Sequence, residues 1–175
     1  MTAPPLRTAL RSLRDALAFF TVLPVPGRIT WRAGDLKHAL LALPAIGLAL
    51  GLPLLAANAV LQPLPDPVRG ASLTILWLVL TGALHFDGLC DTADAVLNAK
   101  PRRERLRIAA DPRLGSYALA TRTSTLLLKF AALTQPTSAV WLVTIPILSR
   151  ALIPPTAALY RNHAVNRPVL TVRQH

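Results

Sequence analysis

The chain has 175 residues, 53% of them apolar and only 15% charged. Soluble domains carry about 25% charged residues, so the composition excludes an ordinary water-soluble domain, and its apolar content excludes a disordered chain. Nineteen Lys and Arg against eight Asp and Glu give a formal net charge of +11, gathered between long uncharged runs; a nucleic-acid binder carries its charge on an otherwise polar surface, so the pattern favours a membrane protein with basic cytoplasmic loops.

The elements follow in chain order. Leu6, Leu10, Leu13, Leu17 and Phe20 recur at steps of four and three, with Arg7, Arg11 and Arg14 one residue behind. This predicts an amphipathic helix on the membrane surface within 1–28. A signal peptide is the rival reading, but the chain shows no convincing small-x-small cleavage site, and Pro24 and Pro26 end the run. Ala39–Pro65 is uncharged. About 20 apolar residues cross a bilayer, so a span is predicted near 39–61. Its Gly47 and Gly51 form a GxxxG step suited to close helix packing. Gln62–Gly70 reads as a Pro-rich loop, and Gly70–Leu84 as a second, short span that leads into His85-Phe86-Asp87.

Asn98–Arg113 reads as a basic loop or surface helix. Helices are predicted near 117–134 and 137–152, divided by Pro136. Arg122 and Lys129 lie in the third span, where charges are costly and normally face a cavity or a partner. Pro154-Pro155 stops the fourth helix, and the tail from Arg161 is basic. The expectation is an all-α fold: a polytopic membrane helix bundle of about four spans plus an N-terminal interfacial helix. It forms one domain over 1–175, with an amphipathic segment at 1–28, the bundle at 39–160 and a tail at 161–175. Basic residues crowd 1–38, 98–113 and 161–175, so the positive-inside rule puts both ends and the Asp-rich loop at 85–116 in the cytoplasm. A single cysteine, Cys90, excludes an intrachain disulfide framework and a Cys-based zinc cluster.

Asp87, Asp91 and Asp94 fall at i, i+4 and i+7, on one face of a helix. Three bare carboxylates on one face repel, and folding alone does not ask for them. Mg²⁺, which takes oxygen ligands and shares carboxylates with substrate phosphates, resolves the conflict. Asn98 continues the face and offers a neutral oxygen. The bland reading is a solvated acidic face balanced by the arginines that follow. His85 suits a general base, a phosphate donor or a partner to a carboxylate; it equally suits a satisfied polar residue at a helix end. Asp111-Pro112-Arg113-Leu114-Gly115-Ser116 combines an acid, an arginine, a glycine and a hydroxyl, as a phosphate-binding turn requires. A helix cap is the plainer alternative.

Five ordered blocks carry a resemblance. They are Phe19–Pro26; Leu43-Pro44-Ala45-Ile46-Gly47 with Gly51; Thr81–Ala95, containing H-x-D-G-x-x-D-x-x-D; Arg102–Arg107 with Asp111–Ser116; and Leu148-Ser149-Arg150. Together they resemble the cobalamin synthase family over nearly the whole chain to about residue 160. The resemblance implies a polytopic inner-membrane enzyme that needs Mg²⁺. It implies transfer of the phosphocobinamide group of adenosylcobinamide-GDP to α-ribazole, or to its 5′-phosphate, with release of GMP. Asp87, Asp91 and Asp94 would hold the metal, and His85 and Asp111 would be the catalytic pair. Arg113, Gly115 and Ser116 would hold phosphate, with Arg150 as a weaker phosphate ligand. The implied partners are those small molecules and the lipid bilayer, with no nucleic acid; a homo-oligomer stays open. Ala118 stands where the family usually has glycine. Family members continue with further membrane helices, so the chain reads as C-terminally short. The alternatives are another Mg²⁺-dependent membrane phosphotransferase of the CDP-alcohol type, whose D-G-x-x-A-R pattern is absent, or an inactive remnant.

Overall fold

The computed structural model describes residues 5–27, 35–98, 100–111, 113–135 and 139–160. Trp31, Pro112, Pro136 and the tail from Arg161 lie outside the described residues. Those described form helices and turns only: α1 Pro5–Phe20, α2 Asp35–Val60, α3 Asp66–Leu80, α4 Leu84–Leu97, α5 Arg102–Ile108, α6 Ser116–Thr134, α7 Trp141–Ala151 and α8 Ile153–Tyr160. The all-helical expectation holds.

The core is built on α2. Leu43, Ile46, Leu50 and Leu54, spaced by three and four, are fully buried and form one face. Gly47 and Gly51 sit beside them against α7. A Cβ on Gly47 would lie 2.6 Å from the Ile147 Cα, and one on Gly51 would lie 2.7 Å from the Val143 Cα. The GxxxG step therefore lets α2 and α7 pack backbone against backbone. On the other side α3 packs against α2 and α6, and α6 also packs against α4.

Large apolar side chains point outward on nearly every helix: Leu41, Val60, Ile75, Val79, Leu127 and Leu128 are each more than half exposed. A surface of this kind suits lipid rather than water. Among the described residues, one helix, over Ala39–Val60, is long and apolar enough to cross a membrane. A second crossing is reached if α3 and α4, bent by 88° at their junction, are one broken span. The 19-residue α6 is ~28 Å long, but Arg122 and Lys129 dilute its apolar character. The 11 residues of α7 reach only ~16 Å. Length and composition thus identify fewer crossings than the four expected.

Three other expectations shift. The second span ends at Leu80 rather than Leu84, because Gly82 (φ 56°) and Ala83 (φ 55°) turn the chain through left-handed backbone into α4. The helix ending before Pro154-Pro155 breaks at Leu152, and those prolines open α8. Proline fits a helix's first turn, where its missing N–H has no intrahelical partner. Among the α1 side chains described, those of residues 10–20, Ser12, Asp15 and Ala16 are fully buried, while Leu10 is 58% exposed. Part of the leucine face therefore turns outward, as an interfacial helix requires. The segment after α1 docks on the α3–α4 bend: the Val22 N–H donates to the Leu80 carbonyl at 3.0 Å, and Phe20 stacks on His85 at 5.7 Å between centroids.

Candidate functional site

The 14-residue α4 carries Asp87, Asp91 and Asp94, as their spacing predicts. All three line one cavity of about 420 Å³ together with Ala109, Asp111, Arg113, Leu114, Ala118 and Arg122. The two acidic blocks, separated by the basic α5 segment in sequence, therefore meet around one space.

The three α4 carboxylates have different surroundings. Asp94 is buried. Its Oδ2 accepts the Gly115 N–H at 2.8 Å and its Oδ1 accepts the Ala118 N–H at 2.9 Å. These are donors at the start of α6, whose own N-cap position, Gly115, has no capping side chain. An acid from α4 thus caps α6 and lies at the positive end of its dipole. Gly115 is required there, since a Cβ would run into the Asp94 carboxylate. Asp87 is exposed and accepts a hydrogen bond from Arg122 Nη2 at 3.0 Å. Asp91 lies between them, and its carboxyl is pushed up, first by desolvation and then by the Asp87 charge. Asn98 turns its amide back to the Asp94 carbonyl, Nδ2 donating at 2.9 Å.

Asp111 and Arg113 form a closed pair. Arg113 donates from its backbone N–H and Nε to Oδ1, each at 3.0 Å, and from Nη2 to Oδ2 at 2.7 Å. These bonds hold the Asp111 carboxyl down at about 2. The attraction is complete above the ordinary value of 3.8 and is lost as pH falls through about 2. A carboxylate this acidic is a poor proton acceptor at neutral pH; it is better suited to supplying fixed negative charge. Arg113→Ala should let Asp111 rise from about 2 towards 3.8, read from the pH titration of its carboxyl carbon resonance. A titration still near 2 would remove Arg113 as the cause.

Among the described residues, no three His, Cys, Asp or Glu side chains stand grouped as a ready metal cage. Asp94 is engaged by α6. Mg²⁺ bound together with a phosphate needs only one or two protein carboxylates, and Asp87 and Asp91 open on the cavity beside Arg113 and Arg122. The donor set fits a hard divalent cation shared with a phosphate.

The remaining sequence-derived residues separate. Gly115 and Ser116 form the start of α6. His85 and Arg150 do not line the Asp cavity; both open on a neighbouring one, between α3, the start of α4, α6 and α7. Sequence reasoning missed Arg122 as a site residue. It pairs with Asp87 and also lies over the Phe86 ring, 5.7 Å from its centroid. The signal was available, because Gly115, Ala118 and Arg122 share one face of α6 at helical spacing.

Comparison with known proteins gives a family and several relatives. The family model described as cobalamin-5-phosphate synthase matches residues 12–167. A protein of Pseudomonas entomophila (strain L48), named adenosylcobinamide-GDP ribazoletransferase, is 44% identical over 142 residues, which is 78% of this chain and 57% of the relative. One of Pseudomonas putida (strain F1), with the same name, is 48% identical over 121 residues, 67% of this chain and 50% of the relative. A third, of Ectopseudomonas mendocina (strain ymp), is 44% identical over 148 residues, 81% and 60%. The chain thus spans half to three fifths of the curated relatives it matches. No solved structure matches it.

Proposed function

The chain belongs to the cobalamin-5-phosphate synthase family, and from that premise we propose that it transfers the phosphocobinamide group of adenosylcobinamide-GDP to α-ribazole or its 5′-phosphate, with release of GMP. The observation that carries this reading is the single cavity where the α4 carboxylates face Asp111, Arg113 and Arg122. The reaction is an in-line displacement at phosphorus. The ribazole hydroxyl forms a new O–P bond, the bond to the GMP oxygen breaks, and the hydroxyl proton is released. Such transfers depend mainly on positioning and on neutralising phosphate charge.

Each residue has a role in the proposal. Mg²⁺, when bound, supplies charge neutralisation on the phosphate oxygens. Asp87 and Asp91 would hold it. Asp94 keeps α6 against α4, so that Arg122 is presented on the face that meets Asp87. Arg113 and Arg122 offer planar donors that match phosphate oxygens. Each is partnered by a carboxylate, and an arriving phosphate and cation exchange those partners without leaving any charge bare. Asp111 is too weakly basic and His85 opens on the neighbouring cavity, so the hydroxyl proton is released to water. We place this site on the cytoplasmic face of the inner membrane in a multi-pass protein, as the basic loops favour.

The test is GMP release from adenosylcobinamide-GDP plus α-ribazole in membranes containing this chain, with Mg²⁺ or with EDTA. Mg²⁺-dependent release is expected. No release from correctly inserted protein would overturn the proposal that these 175 residues carry the reaction.

A further inference from the structure

A second cavity, of about 510 Å³, lies between α3, the start of α4, α6 and α7, with His85 of α4 on its wall. Its walls are mostly apolar, with Trp77, Phe86, Leu128 and Ile145 among them, yet it contains Lys129 and Arg150. No carboxylate lines it among the described residues. Arg150 is only 7% exposed. Its Nη1 donates to the Ser149 Oγ at 2.9 Å, while its buried Nε has no partner. The Lys129 Nζ sits 3.9 Å from the centroid of the Trp77 ring. Ser149 and Thr125 add hydroxyls to the same space.

Two cationic side chains in one apolar gap, with His85 also lining it and no acid beside them among the described residues, are costly: like charges repel in a low dielectric, and a buried donor without an acceptor is a standing loss. Charges at membrane depth usually face a partner. The neighbouring Asp cavity does not supply one, because its acids line the other side of α4. The geometry points to a separate anion site here, in which Lys129 and Arg150 bind a phosphoryl group. This inference does not depend on the reaction proposed above. The guanidinium fork, the ammonium and the Thr125 hydroxyl together suit a tetrahedral oxyanion, while the Ser149 hydroxyl, which donates to the Pro146 carbonyl at 3.1 Å, holds Arg150 in place. That oxyanion comes either from a free phosphate or phosphomonoester, or from the head group of an anionic lipid entering between the helices.

Trp77 reports on the site, because an anion that draws Lys129 off its ring changes its emission. The experiment uses the full chain with Trp31→Phe and Trp141→Phe, in phosphatidylcholine nanodiscs. One arm titrates inorganic phosphate against chloride at equal ionic strength; the other exchanges phosphatidylcholine for phosphatidylglycerol. A saturable change in Trp77 emission is expected in one arm, which identifies the source. Arg150→Gln should weaken it by about tenfold or more, and Arg150→Lys should keep most of it. Lys129→Gln serves as the second variant, and its response should weaken similarly. The proposal is overturned if neither arm changes the emission, if chloride acts as well as phosphate, or if Arg150→Gln and Lys129→Gln, folded by circular dichroism, respond like the starting chain.

Discussion

Asp91→Asn is expected to lower Mg²⁺-dependent GMP release by about a hundredfold or more, while leaving the unfolding midpoint unchanged or slightly raised. Loss of a group that merely orients a metal ligand typically costs 10- to 100-fold in affinity or activity, so loss of a ligand itself should cost at least that. The stability side follows from its neighbours. Asp91 lies between Asp87 and Asp94 on one helix and makes no cap comparable to that of Asp94. Removing its charge relieves like-charge repulsion worth about 0.2–0.5 kcal/mol per pair. Activity and stability therefore move apart, which distinguishes a metal ligand from a structural acid. Added Mg²⁺ should rescue part of the lost rate, because the defect lies in binding the ion. If the variant keeps full activity, Asp91 is not a ligand. If it loses activity and stability together, the carboxylate holds the fold.

The elements were largely legible because uncharged runs alternate with basic segments, and because the acids of α4 repeat at helical spacing. The alternation gave α2 and α6 to within a few residues of their ends. What stayed hidden depended on contacts between segments. Nothing in Thr81-Gly82-Ala83 except one glycine announces an 88° bend, since an alanine at φ 55° carries no sequence mark. Pro154-Pro155 was ambiguous because proline both ends a helix and starts one. Periodicity placed Asp87, Asp91 and Asp94 on one face but could not assign their partners. Those lie on α6, 21 to 35 residues away. The charges inside the third apolar run were the best unexploited signal. Their cost at membrane depth required partners: Asp87 and Phe86 meet Arg122, while Lys129 has the face of Trp77 but no carboxylate among the described residues.

Asp94→Ala is the second large effect, and it should appear first in stability. The Asp94 carboxylate accepts two N–H groups from α6 while only 5% exposed. Truncation leaves both donors without an acceptor in a closed contact where water cannot easily replace it. Losing a helix cap typically costs ~1 kcal/mol, and a hydrogen bond to a charged acceptor is worth about 1.5–3 kcal/mol. The sum puts the loss at about 2–4 kcal/mol. The α6 N-terminus should fray away from α4, carrying Arg122 from Asp87, so activity falls as a consequence. Gly115→Ala should reproduce the defect from the other side, because the new methyl runs into the same carboxylate. The two substitutions break one contact, so the double variant should lose little more than the worse single one. Unfolding midpoints of the four proteins in detergent, measured beside their GMP release, check this. Additive losses would mean that Asp94 and Gly115 act separately. An Asp94→Ala protein of normal stability but no activity would move Asp94 from the cap to the metal.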